Sequence, residues 1–117
     1  MDMKPALKFE PVFAVEAEEE GVVLVNVFRV APEKQDELVR LLDALTDEVT
    51  RTMPGFISSR IYKSLDRRSV VNHARWRDAE SWRAMVHDPR VRAWMDPILK
   101  IATFEPRLYQ AVSSHTA

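Results

Sequence analysis

The chain has no cysteine and only two glycines, Gly21 and Gly55. It also lacks any apolar run near the ~20 residues of a membrane-spanning helix. Without cysteine there is neither a disulfide framework nor a thiolate metal site. Two isolated glycines cannot build a Gly-rich nucleotide loop, and the histidines and carboxylates do not cluster at metal-ligand spacing. No cofactor and no metal are therefore expected. Nor is there an excess of charge: 17 Lys and Arg face 18 Asp and Glu, for a formal net charge of -1. That balance gives no electrostatic footprint for nucleic acid. The opening MDMKPALKFEPVFAVEAEEE has no long apolar segment and ends in acids, unlike a signal peptide. A cytoplasmic protein, away from the membrane, is expected.

What is present is the composition of one globular domain: 117 residues, 46% hydrophobic and 30% charged. A chain this short buries roughly two thirds of its unfolded surface, so an internal cavity is a large sacrifice of core. Residues 1–20 read as an arm, with a short edge strand possible in KFEPVFAVE. Residues 21–112 form the domain, and 113–117 are a tail.

Alternation over VVLVNVFRV, Val22 to Val30, marks a strand with both faces apolar. Val22, Leu24, Asn26, Phe28 and Val30 share one face. Pro32 suits the first turn of a helix, and Leu38, Leu41, Leu42, Leu45 and Val49 follow at helical spacing, with Met53 one turn further. Pro54-Gly55 is expected to stop that helix. A strand from Phe56 to Ser64, a turn at Leu65 to Arg68, and the strand VVNHARW from Val70 to Trp76 come next. Asp78 and Asp88 read as N-caps of two short helices, the second broken or kinked at Pro97. A last strand spans Thr103 to Val112. The order β-α-β-β-α-β is that of the α+β, ferredoxin-like split βαβ fold.

The anomaly is polar. Asparagine is depleted in strands, yet each of the two most apolar strands carries one. The topology makes these strands central neighbours. If Asn26 and Asn72 face the same side, their Cβ atoms lie ~5 Å apart as a cross-strand pair. Trp76 follows about 13 Å along the strand, and the small Ala74 between leaves room for a flat molecule. The alternative is structural: buried amides more often bond each other or the backbone, and tryptophans are usually core.

LVNVFRV, MPGF at Met53 to Phe56, and VVNHARW followed by a helix together resemble the antibiotic biosynthesis monooxygenase family. Within it they resemble the anthrone oxygenases of aromatic polyketide pathways, over about Gly21 to Val112. The resemblance implies a dimeric α+β barrel acting on an aromatic polyketide and dioxygen without a cofactor. It implies catalytic roles for Asn26, Asn72 and Trp76, which match the nogalamycin-type set. Trp82 stands where the actinorhodin-type enzyme has a tyrosine, while that enzyme's arginine falls near Met95 and does not carry over. Trp94 takes the place of the iron-ligating histidine of haem-degrading relatives, which disfavours haem chemistry. Phe28, Ala74, Trp82 and Trp94 are the expected substrate-binding residues.

The expected chemistry is oxidation of an anthrone to a quinone through an enolate that the asparagine amides stabilise. The alternatives are another monooxygenase of this fold, such as a haem-degrading one, or a polyketide-binding subunit without catalysis. His73 faces opposite Asn72, and Arg90 and Arg92 read as solvated helix positions. The valines of the other sheet face, Val23, Val25, Val27 and Val71, call for a homodimer through that face.

Overall fold

The computed structural model describes residues 21–117; the arm expected at residues 1–20, with its edge strand, lies outside them. Strand β1 covers Val22–Val30 and leads into a 3₁₀ turn, Pro32–Lys34, then helix α1, Gln35–Glu48. Strands β2, Phe56–Lys63, and β3, Ser69–Trp76, form a hairpin. Helices α2, Ala79–Val86, and α3, Pro89–Leu99, precede strand β4, Ala102–Tyr109. All neighbouring strands are antiparallel, in the order β2-β3-β1-β4. This is the expected ferredoxin-like α+β fold, with its second helix divided in two.

Three ends differ from the sequence expectation. Helix α1 stops at Glu48, short of Pro54-Gly55. There a 3₁₀ turn, Thr50–Thr52, tightens the chain, and the Thr52 hydroxyl donates to the Val49 carbonyl at 2.6 Å. Helix α3 is not broken at Pro97 but runs on to Leu99. That proline forgoes one bond to the Ala93 carbonyl, on the exposed side of the helix where water can take it. Strand β4 stops at Tyr109, three residues before Val112, because Tyr109 pairs with Val23 and β1 has only Val22 left.

The Pro54-Gly55 pair has a second task. Gly55 has φ +88°, and a Cβ there would run into the Ser81 side chain in the first turn of α2. Its carbonyl accepts from Arg77 N–H at 2.7 Å. The turn is thus the seat on which α2 docks.

Asp78 caps α2 by accepting from Ser81 N–H at 2.8 Å, and Asp88 caps α3 by accepting from Arg90 N–H at 2.8 Å. At the other end of the fold the fully buried Gln35 clips α1 to the β2–β3 hairpin. Its Nε2 donates to the carbonyls of Ser64, at 3.0 Å, and Ser69, at 2.9 Å. All three helices pack on one face of the sheet. Leu38, Leu42, Leu45 and Val49 meet Leu24, Phe28, Val70 and Trp76 in the core. On the opposite face Val23, Val25, Val27 and Val71 are half-buried, with no helix of the described residues over them.

Candidate functional site

Register brings the polar residues together. Asn26 pairs directly with Asn72, and Val22 with Trp76, so Asn26, Asn72, Ala74 and Trp76 share the helix-side face. Across the sheet one row reads Ile61, Asn72, Asn26, Pro106. The outer members of that row offer no hydrogen-bonding side chain. The amides therefore sit mid-sheet between an isoleucine and a proline, with a helix layer above.

That environment leaves them unsatisfied. The buried Oδ1 atoms of Asn26 and Asn72 and the buried Nε1 of Trp76 have no hydrogen-bond partner. The amides do not bond each other, and no other described group holds either side chain. The structural alternative, a mutually satisfied amide pair, is not what forms here. A buried polar group without a partner costs about 1–3 kcal/mol by mutational measures, so two paired amides and an indole on one sheet face call for an explanation.

All three border one cavity of about 430 Å³, within the roughly 300–1,000 Å³ of small-molecule sites. Strands β1 and β3 form its floor, with Leu24, Phe28 and Ala74 beside the polar trio. Helix α1 contributes Leu42, Leu45 and Thr46 as one wall, and Trp82, Met85 and Val86 of α2 form another. Val91, Met95 and Leu99, one stripe of α3, continue it. Phe56 closes on Trp76 edge to face, ring centroids 5.4 Å apart at 83°, while Phe28 stacks on Phe104 at 5.7 Å.

Of the residues expected from the sequence, Asn26, Phe28, Asn72, Ala74, Trp76 and Trp82 line this cavity. Trp94 does not; it is half-buried against the core, on the same helical stripe as the fully buried Ile98. Other lining residues had no signal of their own in the sequence. Ser59 reaches the cavity because a bulge at Ile57 shifts β2, setting Phe56 opposite Trp76 and Ser59 opposite Ala74. Arg92 and Asp96, one turn apart on α3, also border it, so Arg92 is more than a solvated helix position. Arg90, by contrast, is occupied by its own cap, 3.0 Å from Asp88.

Two of the titratable groups with clear shifts, Asp78 and Asp88, flank the site. Asp78 is held below the ordinary carboxylate range by the Ser81 N–H and hydroxyl, and then by Arg77. Asp88 is lowered by its hydrogen bonds from the Arg90 side chain and backbone. Each is the cap of a helix that carries cavity residues. Among the described residues no histidine lines the cavity, and no three His, Cys, Asp or Glu are grouped to hold a metal ion. Among them, too, no helix is long and apolar enough to cross a membrane.

Residues 21–97 match the family model for antibiotic biosynthesis monooxygenases. The chain belongs to that family. It is 42% identical over 94 residues to the tetracenomycin-F1 monooxygenase of Streptomyces glaucescens, covering 80% of this chain and 84% of that protein. Among solved structures it resembles SnoaB, a cofactor-independent oxygenase from Streptomyces nogalater. The TM-score is 0.64 at 25% identity, over 80% of this chain and 94% of that one. It also resembles the ActVA-Orf6 monooxygenase of Streptomyces coelicolor, solved with nanaomycin D. There the TM-score is 0.75 at 26% identity, over 83% and 92% of the two chains. The resemblance read from LVNVFRV, MPGF and VVNHARW is thereby established at the level of the family, and with it the expectation of a monooxygenase.

Proposed function

We propose that this antibiotic biosynthesis monooxygenase oxidises an anthrone-type aromatic polyketide to the quinone with dioxygen and without a cofactor. One observation carries the reading: Asn26, Asn72 and Trp76 each have a buried polar atom with no protein partner, and all three side chains line one mainly apolar cavity. The names of the relatives support the substrate class and the want of a cofactor.

The chemistry follows from what such a pocket does to an acid. Dioxygen is a ground-state triplet and reacts slowly with closed-shell molecules. An anthrone that loses a ring CH₂ proton becomes an electron-rich aromatic enolate, which can pass one electron to dioxygen and recombine with the superoxide at that carbon. Loss of water from the resulting peroxide, with departure of the second ring proton, gives the quinone. The balance is anthrone plus dioxygen to quinone plus water.

The protein's part is to favour the enolate. Both amide oxygens are sealed in the wall, so the NH₂ ends of Asn26 and Asn72 are left to meet a ligand oxyanion. One such donor is worth about 3 kcal/mol in a water-poor site, equivalent to about two pKa units on the substrate. Trp76 forms part of the slot wall against which the ring system lies, with Phe28, Ala74 and Trp82. The valines of the other sheet face fit a homodimer, which sedimentation at micromolar concentration checks; a monomer there removes that part.

The deciding experiment is incubation of chelator-treated protein with an anthrone in air, following quinone absorbance and oxygen uptake. Quinone at one equivalent per dioxygen is expected. A rate no faster than spontaneous air oxidation would overturn the reading.

A further inference from the structure

The cavity has a polar inner end and a charged edge, and the two are built differently. Asn26, Asn72 and Trp76 rise from the central strands. Arg92 and Asp96 are the two charged residues among those that line the cavity, and both are exposed, which places them at its mouth. Around them the exposed apolar side chains Val86, Leu99 and Phe104 complete a rim. Three exposed arginines near this surface are engaged: Arg90 pairs with Asp88, Arg77 with Asp78, and Arg107 with Glu105. Arg92 has no ion pair among the described residues, not even with Asp96 one helical turn away. A guanidinium with no ion pair, beside an apolar slot, is free to pair with an anionic group on a ligand.

Resting on the oxidation reading above, and extending it to the shape of the substrate, we propose that Arg92 binds a carboxylate on the end of the ring system that stays at the mouth. A carboxylate suits it better than a phenol. The planar fork of arginine matches two carboxylate oxygens, and a carboxyl is ionised at neutral pH where a phenol is not. Asp96, an acceptor beside this donor, takes a ring hydroxyl next to the acid. Its charge also opposes the ligand's carboxylate, so the two residues act on an acid in opposite directions. Arg92 is thus a specificity residue that orients the far edge of the molecule and thereby sets which ring reaches the amides.

The test uses an anthrone carboxylic acid and its methyl ester, with the parent protein, Arg92→Met, Arg92→Lys and Asp96→Asn. Binding is read by quenching of tryptophan fluorescence and turnover by quinone formation. The parent is expected to prefer the acid. Arg92→Met should raise KM for the acid about tenfold and bring the acid-to-ester ratio of kcat/KM toward one, with kcat less affected. Arg92→Lys should keep part of the preference, and Asp96→Asn should increase it about two- to threefold. Equal use of acid and ester by the parent, or a shift of the same sign in Arg92→Met and Asp96→Asn, overturns the assignment. If neither compound is oxidised, the oxidation reading fails by itself, and the acid-to-ester ratio of dissociation constants still decides the role of Arg92.

Discussion

Replacing Asn72 by leucine separates a residue kept for chemistry from one kept for the fold, because the two roles predict opposite changes in stability. Asn72 lies between Ile61 and Asn26 in the sheet, with its oxygen buried and unpartnered. Leucine has the same number of side-chain heavy atoms and no polar one, and the cavity beside Asn72 takes its extra bulk. Removing an unsatisfied buried amide and adding an apolar contact should stabilise the folded state by about 1 kcal/mol. For a chain of 117 residues that is a rise in Tm of about 4 °C. Turnover should move the other way. Loss of one oxyanion donor costs about 3 kcal/mol of transition-state stabilisation, or roughly a hundred- to a thousandfold in kcat. The assays are urea denaturation at fixed protein concentration and initial rates of quinone formation on the same preparations. A variant destabilised by about 2 kcal/mol would mean that Asn72 has a structural partner, and one keeping more than about a tenth of parental turnover would remove it from the reaction.

Three further outcomes follow from the same geometry. Ala74→Leu fills the space between Asn72 and Trp76 and should abolish quenching of tryptophan fluorescence by an aromatic ligand, with the urea midpoint at or above the parental one. Gly55→Ala combines φ +88° with a Cβ driven into Ser81, and should cost more than about 1 kcal/mol by chemical denaturation and loosen α2 with its Trp82. Acid should loosen both cavity walls. The folded-state values of Asp78 and Asp88 lie below the ordinary 3.8, so their contribution is present above that pH and is lost as the pH falls through the lowered values. Far-UV circular dichroism should show helix loss beginning below pH 3.8 in the parent, and this acid-linked step should shrink in Asp78→Asn, which caps without titrating.

The sequence made the sheet and the polar pair legible for a physical reason. Period-two alternation in VVLVNVFRV and VVNHARW fixes which side chains share a face, and the fold order makes those strands neighbours. The pairing of Asn26 with Asn72 then needs no further information. The caps at Asp78 and Asp88 were equally local, since a carboxylate before a short helix has one obvious N–H to accept from. What escaped depends on tertiary geometry. The bulge at Ile57 resets the alternation of β2, so no count along FISSRIYK puts Phe56 and Ser59 on one side. Trp94 and Arg92 lie two residues apart on α3, and only the rotation of that helix decides which turns to the cavity and which to the core. The resemblance to haem-degrading relatives drew attention to the position of Trp94, while the cavity is lined by the neighbouring stripe.

A cavity of about 430 Å³ is expensive for a domain of this size. Left dry, it would cost about 10 kcal/mol at roughly 24 cal/mol per Å³, as large as the whole net stability of a typical domain. Filling that space with a ligand is therefore worth much to the fold, and the exposed Val86, Leu99 and Phe104 lie at its mouth. A flat ligand fills the space, buries those rim side chains and supplies acceptors to the NH₂ ends of the two amides. At one hundred times its dissociation constant, a ligand that binds only the folded state adds about 2.7 kcal/mol. A non-oxidisable ring analogue, the anthraquinone product for example, should raise Tm by about 10 °C at that concentration, measured by calorimetry at constant protein concentration. The same analogue should shift Ala74→Leu hardly at all, because its slot is filled. Equal shifts in parent and variant would mean that the ligand sits elsewhere, and that the three unpartnered groups are a cost the fold bears without a ligand.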